Sequence, residues 1–145
     1  MEFEEQENLQ PQQPPIAIYS KWAILGFSIF FSPFIGCILM MLNLRAIGKP
    51  KVGYLVVILG IVYVFIAEII LLKLLGIPFA SVTPQKLMAN PKTIYYSKAL
   101  DILGAAILTE YFFRRYFQDD QYESKSIWVP LLVMLLLSFA LGGLI

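Results

Sequence analysis

The chain has 145 residues, of which 59% are hydrophobic and only 14% charged; 11 Lys+Arg stand against 10 Asp+Glu, a net charge of +1. A soluble domain is roughly 45 to 50% apolar and roughly 25% charged, so this composition offers too little charge to cover a water-facing surface and points to an integral membrane protein. The near-zero net charge supplies no basic surface to neutralise a run of phosphates and argues against nucleic acid as a partner. The absence of histidine removes the commonest metal ligand and the commonest general base.

The N-terminal stretch, 1–20, reads as an extramembrane disordered tail. Glu2, Glu4, Glu5 and Glu7 are followed by a Gln- and Pro-rich stretch ending at Pro15, a composition that buries too little surface to fold. An acidic start with no small-x-small cleavage site is not the pattern of a removable signal, so the apolar run that follows is expected to stay in the mature protein. That run, from Trp22 to Leu42, carries no charge. About 20 residues at 1.5 Å rise cross a hydrocarbon core of about 30 Å, and residues 22–47 are expected to form one span, kinked at Pro33. Gly48 suits a left-handed helix stop, Pro50 blocks continuation, and Arg45, Lys49 and Lys51 complement the negative helix end, so the first helix should stop at Ile47 or Gly48. Cys37, the single cysteine, reads as a small core residue.

The apolar pattern resumes at Val52 and runs to Gly76, broken only by Glu68 and Lys73. It reads as a second span, residues 52–76, forming a tight antiparallel hairpin with the first. Pro78, Pro84 and Pro91 then make an irregular loop, with one possible helical turn over residues 85–89. Residues 96–117 form a marginal segment, because the uncharged stretch Ile102 to Thr109 is bracketed by Asp101 and Glu110, each costing about 2.5 to 3.5 kcal/mol on insertion. It reads as a helix held in place by the other three, with an interfacial or re-entrant helix as the alternative. After a polar loop, residues 127–145 form the last span, again free of charge.

The expectation is therefore an all-α membrane protein: a small transmembrane bundle of four helices over residues 21–145. On four spans, six basic residues at the first and third connections, against four or five elsewhere, put both termini outside. If the third segment does not cross, the count inverts.

Small residues mark candidate helix seams: Ser28, Ser32 and Gly36 on the first helix, Gly53, Gly60 and Ala67 on the second, Ser138 and Gly142 on the last. Glu68 is the sharpest polar candidate, about 6 to 8 Å from the middle of its span at 1.5 Å per residue and with no partner on its own helix. Asp101 and Glu110 are further candidate intramembrane polar positions. Each of these carboxyls is open to two readings, a proton or cation site or a merely hydrogen-bonded structural group, with Asn43, a serine or Tyr63 as a possible partner for Glu68. Phosphate-binding loops, nucleophile elbows and metal-ligand motifs are absent from the sequence, so neither an enzyme activity nor a cofactor is expected. The tryptophans and terminal tyrosines read as headgroup-level anchors.

The stretch Ile16 to Lys51, with its Ser-Lys-Trp-Ala-Ile opening, Phe-Ser-Pro-Phe-Ile-Gly middle and Asn43-Leu-Arg-Ala-Ile-Gly-Lys exit, resembles small bacterial multi-pass membrane proteins that carry no assigned activity. That resemblance covers about a quarter of the chain and implies a bacterial inner-membrane setting without naming site residues. In size, and in having a buried glutamate, the chain is also similar to small multidrug-resistance exporters. Their glutamate lies in the first helix, however, whereas here it lies in the second, and the assignment is not adopted. The leading expectation is a non-enzymatic membrane protein acting through helix-helix contacts, as an accessory, scaffold or homo-oligomeric subunit in the lipid bilayer. The alternative is a small transporter or channel component with Glu68 as a proton or cation site.

Overall fold

A computed structural model describes residues 15–118 and 122–140 and is mostly helical. Its order is β1 (Ala17–Ile18), α1 (Lys21–Phe30), α2 (Pro33–Ala46), α3 (Pro50–Leu75), a 3-10 turn (Phe79–Ser81), α4 (Pro84–Ala89), α5 (Lys92–Ala106), a π-helical stretch (Ile107–Phe113), α6 (Arg114–Tyr116), β2 (Glu123–Ser124) and α7 (Trp128–Ala140). Of the expected tail, residues 1–14 lie outside the described residues. Residues 17–20 are ordered structure instead of tail: Ile18 and Tyr19 are buried, and β1 pairs in parallel with β2.

Residues 22–47 do not form one kinked helix. Phe31 and Ser32 reverse the chain, and α1 and α2 lie side by side as an antiparallel hairpin. At the open end Asn43 meets Tyr19: its amide accepts from the Tyr19 N–H at 2.7 Å and donates to the Tyr19 carbonyl at 2.7 Å. Near the tip, Gly36 packs on Ser28, so closely that a Cβ at 36 would collide with the Ser28 hydroxyl. The local chemistry explains the reversal. Proline disfavours helix in the residue before it but is well placed as the first residue of a new one. Ser32 is extended, at φ −175 and ψ 150, and caps α2 by accepting from the Phe34 N–H at 3.0 Å. Ser-Pro inside an apolar run is here a helix start and not a kink.

The α2–α3 turn follows the sequence signals. The last helical residue is Ala46, Gly48 adopts φ 76, and α3 begins at Pro50. Two glycines then let α3 pass close to α2: a Cβ on Gly53 would lie 3.0 Å from Met41 Cγ, and one on Gly60 2.5 Å from Cys37 Sγ. The helix runs for 26 residues, ~39 Å at 1.5 Å each, and stops at Gly76 with φ 67. The 14 residues of α2 reach only ~21 Å, so α3 continues past the hairpin tip. It is the one helix among the described residues both long and apolar enough to cross a bilayer; α1, α2 and α7 are shorter.

Beyond the 3-10 turn, α5 returns antiparallel to α3. Tyr63 donates to the Leu100 carbonyl at 2.6 Å, and Gly104 admits both the Tyr63 ring and Pro33 where a Cβ would come within 2.7 and 2.9 Å. The π stretch continues this helix to the base of the hairpin, where Glu110 pairs with Lys21. Buried Thr109 donates its hydroxyl back to the Ala105 carbonyl at 2.9 Å, serving part of the ladder that π winding loosens. Finally α7 starts beside Trp22, and Ile127 and Leu131 share a groove with Ala23, Gly26 and Phe27 on α1. The core therefore gathers around the hairpin: Ile24, Met40, Leu44 and Val56 are at most 1% exposed.

Candidate functional site

The hairpin tip opens into a cavity of about 340 Å³, lined by Phe30, Phe31, Ser32 and Pro33 from the tip, Tyr63, Val64, Ala67, Glu68 and Leu71 from α3, and Ser97, Lys98, Leu100 and Asp101 from α5. Three charged groups, Glu68, Lys98 and Asp101, meet there because α1 ends early. A helix leaves its last carbonyls without backbone donors and carries a partial negative charge at that end. One such carbonyl, Ile29 O, accepts from the Lys98 ammonium at 2.9 Å. The same ammonium lies 3.1 Å from Asp101 Oδ2, an i,i+3 pair in which the Asp101 side chain is 18% exposed. Glu68 stands across the cavity with no hydrogen bond or ion pair among the described residues.

The ends of the two half-helices are not equivalent. The start of α2 is saturated: Ser32 Oγ takes the Phe34 N–H, and the Ser32 carbonyl takes those of Ile35 and Gly36 at 3.0 and 3.4 Å. At the end of α1, the Phe27 carbonyl accepts from Phe31 and Ser32 at 3.1 and 3.3 Å, and the Ile29 carbonyl is served, among the described residues, only by Lys98. The site thus consists of oxygen acceptors, one ammonium and two carboxylates.

The candidates separate by position. Glu68 and Asp101 come together in the cavity, and Ala67 lines it rather than serving a helix seam. Glu110 belongs elsewhere. It is exposed at the hairpin base, paired with Lys21 and 3.9 Å from Arg114 Nη1, where it ties α1 to the π stretch. Ser28, Ser32 and Gly36 do not form one stripe, because the chain reverses between them: Ser28 and Gly36 face each other across the hairpin while Ser32 caps its turn. Gly53 and Gly60 do form a seam, against α2 within the same chain. Ser138 belongs to α7, and Gly142 lies outside the described residues. Tyr63 and Asn43, possible partners for Glu68, bond instead to Leu100 and Tyr19. Lys98 carries the geometry and was not singled out from the sequence; its signal was the Lys98-Ala-Leu-Asp101 spacing, an i,i+3 pair of opposite sign within an apolar helix.

A second cavity of about 220 Å³ lies lower between α2, α3 and the continuation of α5, lined almost wholly by apolar side chains, among them Cys37, Val56, Ile107 and Phe112. No cluster of three His, Cys, Asp or Glu side chains suited to a metal occurs among the described residues. Comparison with protein families, with curated proteins and with solved structures returns no match.

Proposed function

We propose that this chain is a small integral membrane component that passes a polar solute or ion, with α1–α2 as a re-entrant hairpin whose tip cavity is the solute site. Membrane residence is supported by α3, where only 22% of the most apolar stretch is buried: the core helix of a soluble protein would be mostly covered, while here Leu55, Ile58, Val62, Phe65, Ile66 and Ile69 are exposed. On this reading α3, the α5–α6 rod and α7 cross the bilayer, in the bacterial inner membrane that the N-terminal resemblance implies, and the hairpin enters and leaves on one side. Non-helical backbone at depth is tolerated where it is covered by protein or lines a wet cavity, which fits the Phe31–Ser32 reversal.

The observation that carries the function is the Lys98–Asp101 pair on the free end of α1 with Glu68 opposite. Ionisable groups at membrane depth are costly and mark solute or ion paths, and interrupted helices presenting their ends to a mid-membrane cavity are the recurring form of such sites. Seven of the 11 basic residues then gather at the hairpin base: Lys21, Arg45, Lys49, Lys51, Arg114, Arg115 and Lys125. The positive-inside rule puts that end, with the N-terminus, in the cytoplasm. This replaces the expectation of both termini outside, because the first segment returns to its own side.

A test is solute-driven swelling and charge movement in proteoliposomes. The wild-type chain should exceed empty liposomes, and Glu68→Gln or Asp101→Asn should lose most of that excess while folding normally; wild-type flux equal to that of empty liposomes would end the reading. A second reading, an accessory or homo-oligomeric subunit, is favoured by one feature: α7 touches the rest of the chain mainly through Leu131 and Met134, with Ile127 just before it, leaving Val129, Leu132, Leu136 and Phe139 exposed. The glycine seams give that reading no support, since Gly36, Gly53, Gly60 and Gly104 are all used within the chain.

A further inference from the structure

Resting on the reading of the tip cavity as a solute site, we propose that its cargo is a small monovalent cation and that the Lys98 ammonium is a resident cation which the cargo displaces. Three observations point the same way.

The groups lining the cavity that carry a formal charge are Glu68 from α3 and Lys98 and Asp101 from α5, with the Tyr63 hydroxyl beside them, while the hairpin tip contributes none, so the formal charge inside is −1. An anionic cargo would need free donors. The backbone donors nearest the tip are taken by Ser32, the Tyr63 hydroxyl is given to the Leu100 carbonyl, and the one ammonium is shared between a carbonyl and a carboxylate. That leaves the Ser97 hydroxyl as the single lining side-chain donor without a hydrogen bond among the described residues, too little to hold an anion.

The place where Lys98 Nζ sits has the chemistry of a cation site. A backbone carbonyl at 2.9 Å and a carboxylate oxygen at 3.1 Å converge on it, and the negative end of α1 points toward it. A lysine side chain is a compact charge on a flexible stem, and here the side chain is 45% exposed.

Glu68 lines the same cavity without a counter-charge. In the proposed exchange Lys98 turns from Asp101 toward Glu68 on the facing wall, and the Ile29 carbonyl and Asp101 are left as an oxygen site of net charge −1 for the incoming cation. Before the exchange Glu68 is the uncompensated carboxylate, exposed to the cavity; after it both carboxylates hold a cation, so the incoming charge is matched.

The experiment is thiol labelling of the full chain in lipid vesicles, in a Cys37→Ala background with a single cysteine at Ser97→Cys or Ala67→Cys, both lining the cavity. The probes are a trimethylammonium-ethyl and a sulfonato-ethyl methanethiosulfonate, each rate divided by the same reagent's rate on a small free thiol. The expected result is labelling by the cationic reagent about tenfold or more faster than by the anionic one, as a cleft of one sign concentrates its counter-ion. Glu68→Gln, which neutralises the cavity, should bring the ratio near one, and Lys98→Met, which deepens the negative charge, should raise it further. Equal rates, or faster anionic labelling, at a readily labelled position would overturn the cation assignment and leave a wet site of other selectivity. A cationic preference unmoved by Glu68→Gln and Lys98→Met would overturn the role given to those side chains. If neither reagent reaches either position in a folded chain, the cavity takes no solute, and both this proposal and the function it rests on fall.

Discussion

The α1–α2 hairpin and helix α3 are built from apolar runs of similar length and meet opposite fates. The hairpin turns its residues inward: Ile24, Ser28, Met40, Asn43 and Leu44 are at most 1% exposed. In α3, Val56 and the two glycines on one edge are buried, while Phe65 is 68% and Ile58 57% exposed. Apolar content does not separate the two runs. Polar and small residues at a few positions do. Ser32-Pro33 supplies a helix start where no other signal stops the first run, Ser28 and Gly36 let the two arms touch, and Asn43 closes the open end on the Tyr19 backbone. With no such interruption between Pro50 and Leu75, α3 continues until Gly76 ends it. The lesson is that a run of apolar residues states only a preference for oil; whether it becomes a rod or a folded-back pair is written in the polar minority.

That contrast breaks most readily at Asn43. Replacing it by Leu removes both partners of the Tyr19 backbone, and each buried unpaired group costs about 1 to 3 kcal/mol; a loss of roughly 2 to 6 kcal/mol is expected in detergent unfolding. Leu44→Ala, at a fully buried hairpin position, should cost about 2 to 5 kcal/mol through its cavity, whereas Phe65→Leu on the open face of α3 should stay within about 0.5 kcal/mol. Equal effects at the two positions would erase the distinction between the regions. Next comes the seam: Gly60→Ala drives a methyl onto Cys37 and should cost about 1 to 3 kcal/mol. Cys37→Ala should relieve part of that cost in a double-mutant cycle, a coupling absent if the two do not touch. Smallest of all is the hairpin-base ion pair. Glu110→Gln, with both side chains largely in solvent, should leave the unfolding midpoint unchanged and shift only its salt dependence.

Much of this architecture was legible. The Asn43 to Lys51 stretch announced a helix stop and an immediate restart, and α2 ends at Ala46 with Gly48 left-handed, since a positive φ and a proline two residues on leave few alternatives. The proline loop after Gly76 likewise yields only short turns and α4. The reversal at Ser32 was hidden because Pro33 carries two meanings in an apolar run, kink or first residue of a new helix, and the choice depends on whether Ser28 and Gly36 find each other. Glu68 stood out as unpaired, but its neighbours Lys98 and Asp101 come from α5, and no periodicity within α3 encodes so long a separation. Asp101 and Glu110 looked alike in sequence; the fold sends one to the hairpin tip and the other to its base.

The central claim is that the first apolar segment goes in and comes back. Single cysteines at Ile16, Lys51 and Lys86, placed one at a time in Cys37→Ala and labelled from each face of oriented vesicles with an impermeant thiol reagent, test it directly. A re-entrant hairpin puts positions 16 and 51 on the same face and 86 on the other. Labelling of 16 and 51 from opposite faces would mean a segment that crosses, and the tip cavity, its charge trio and the function built on them would go with it.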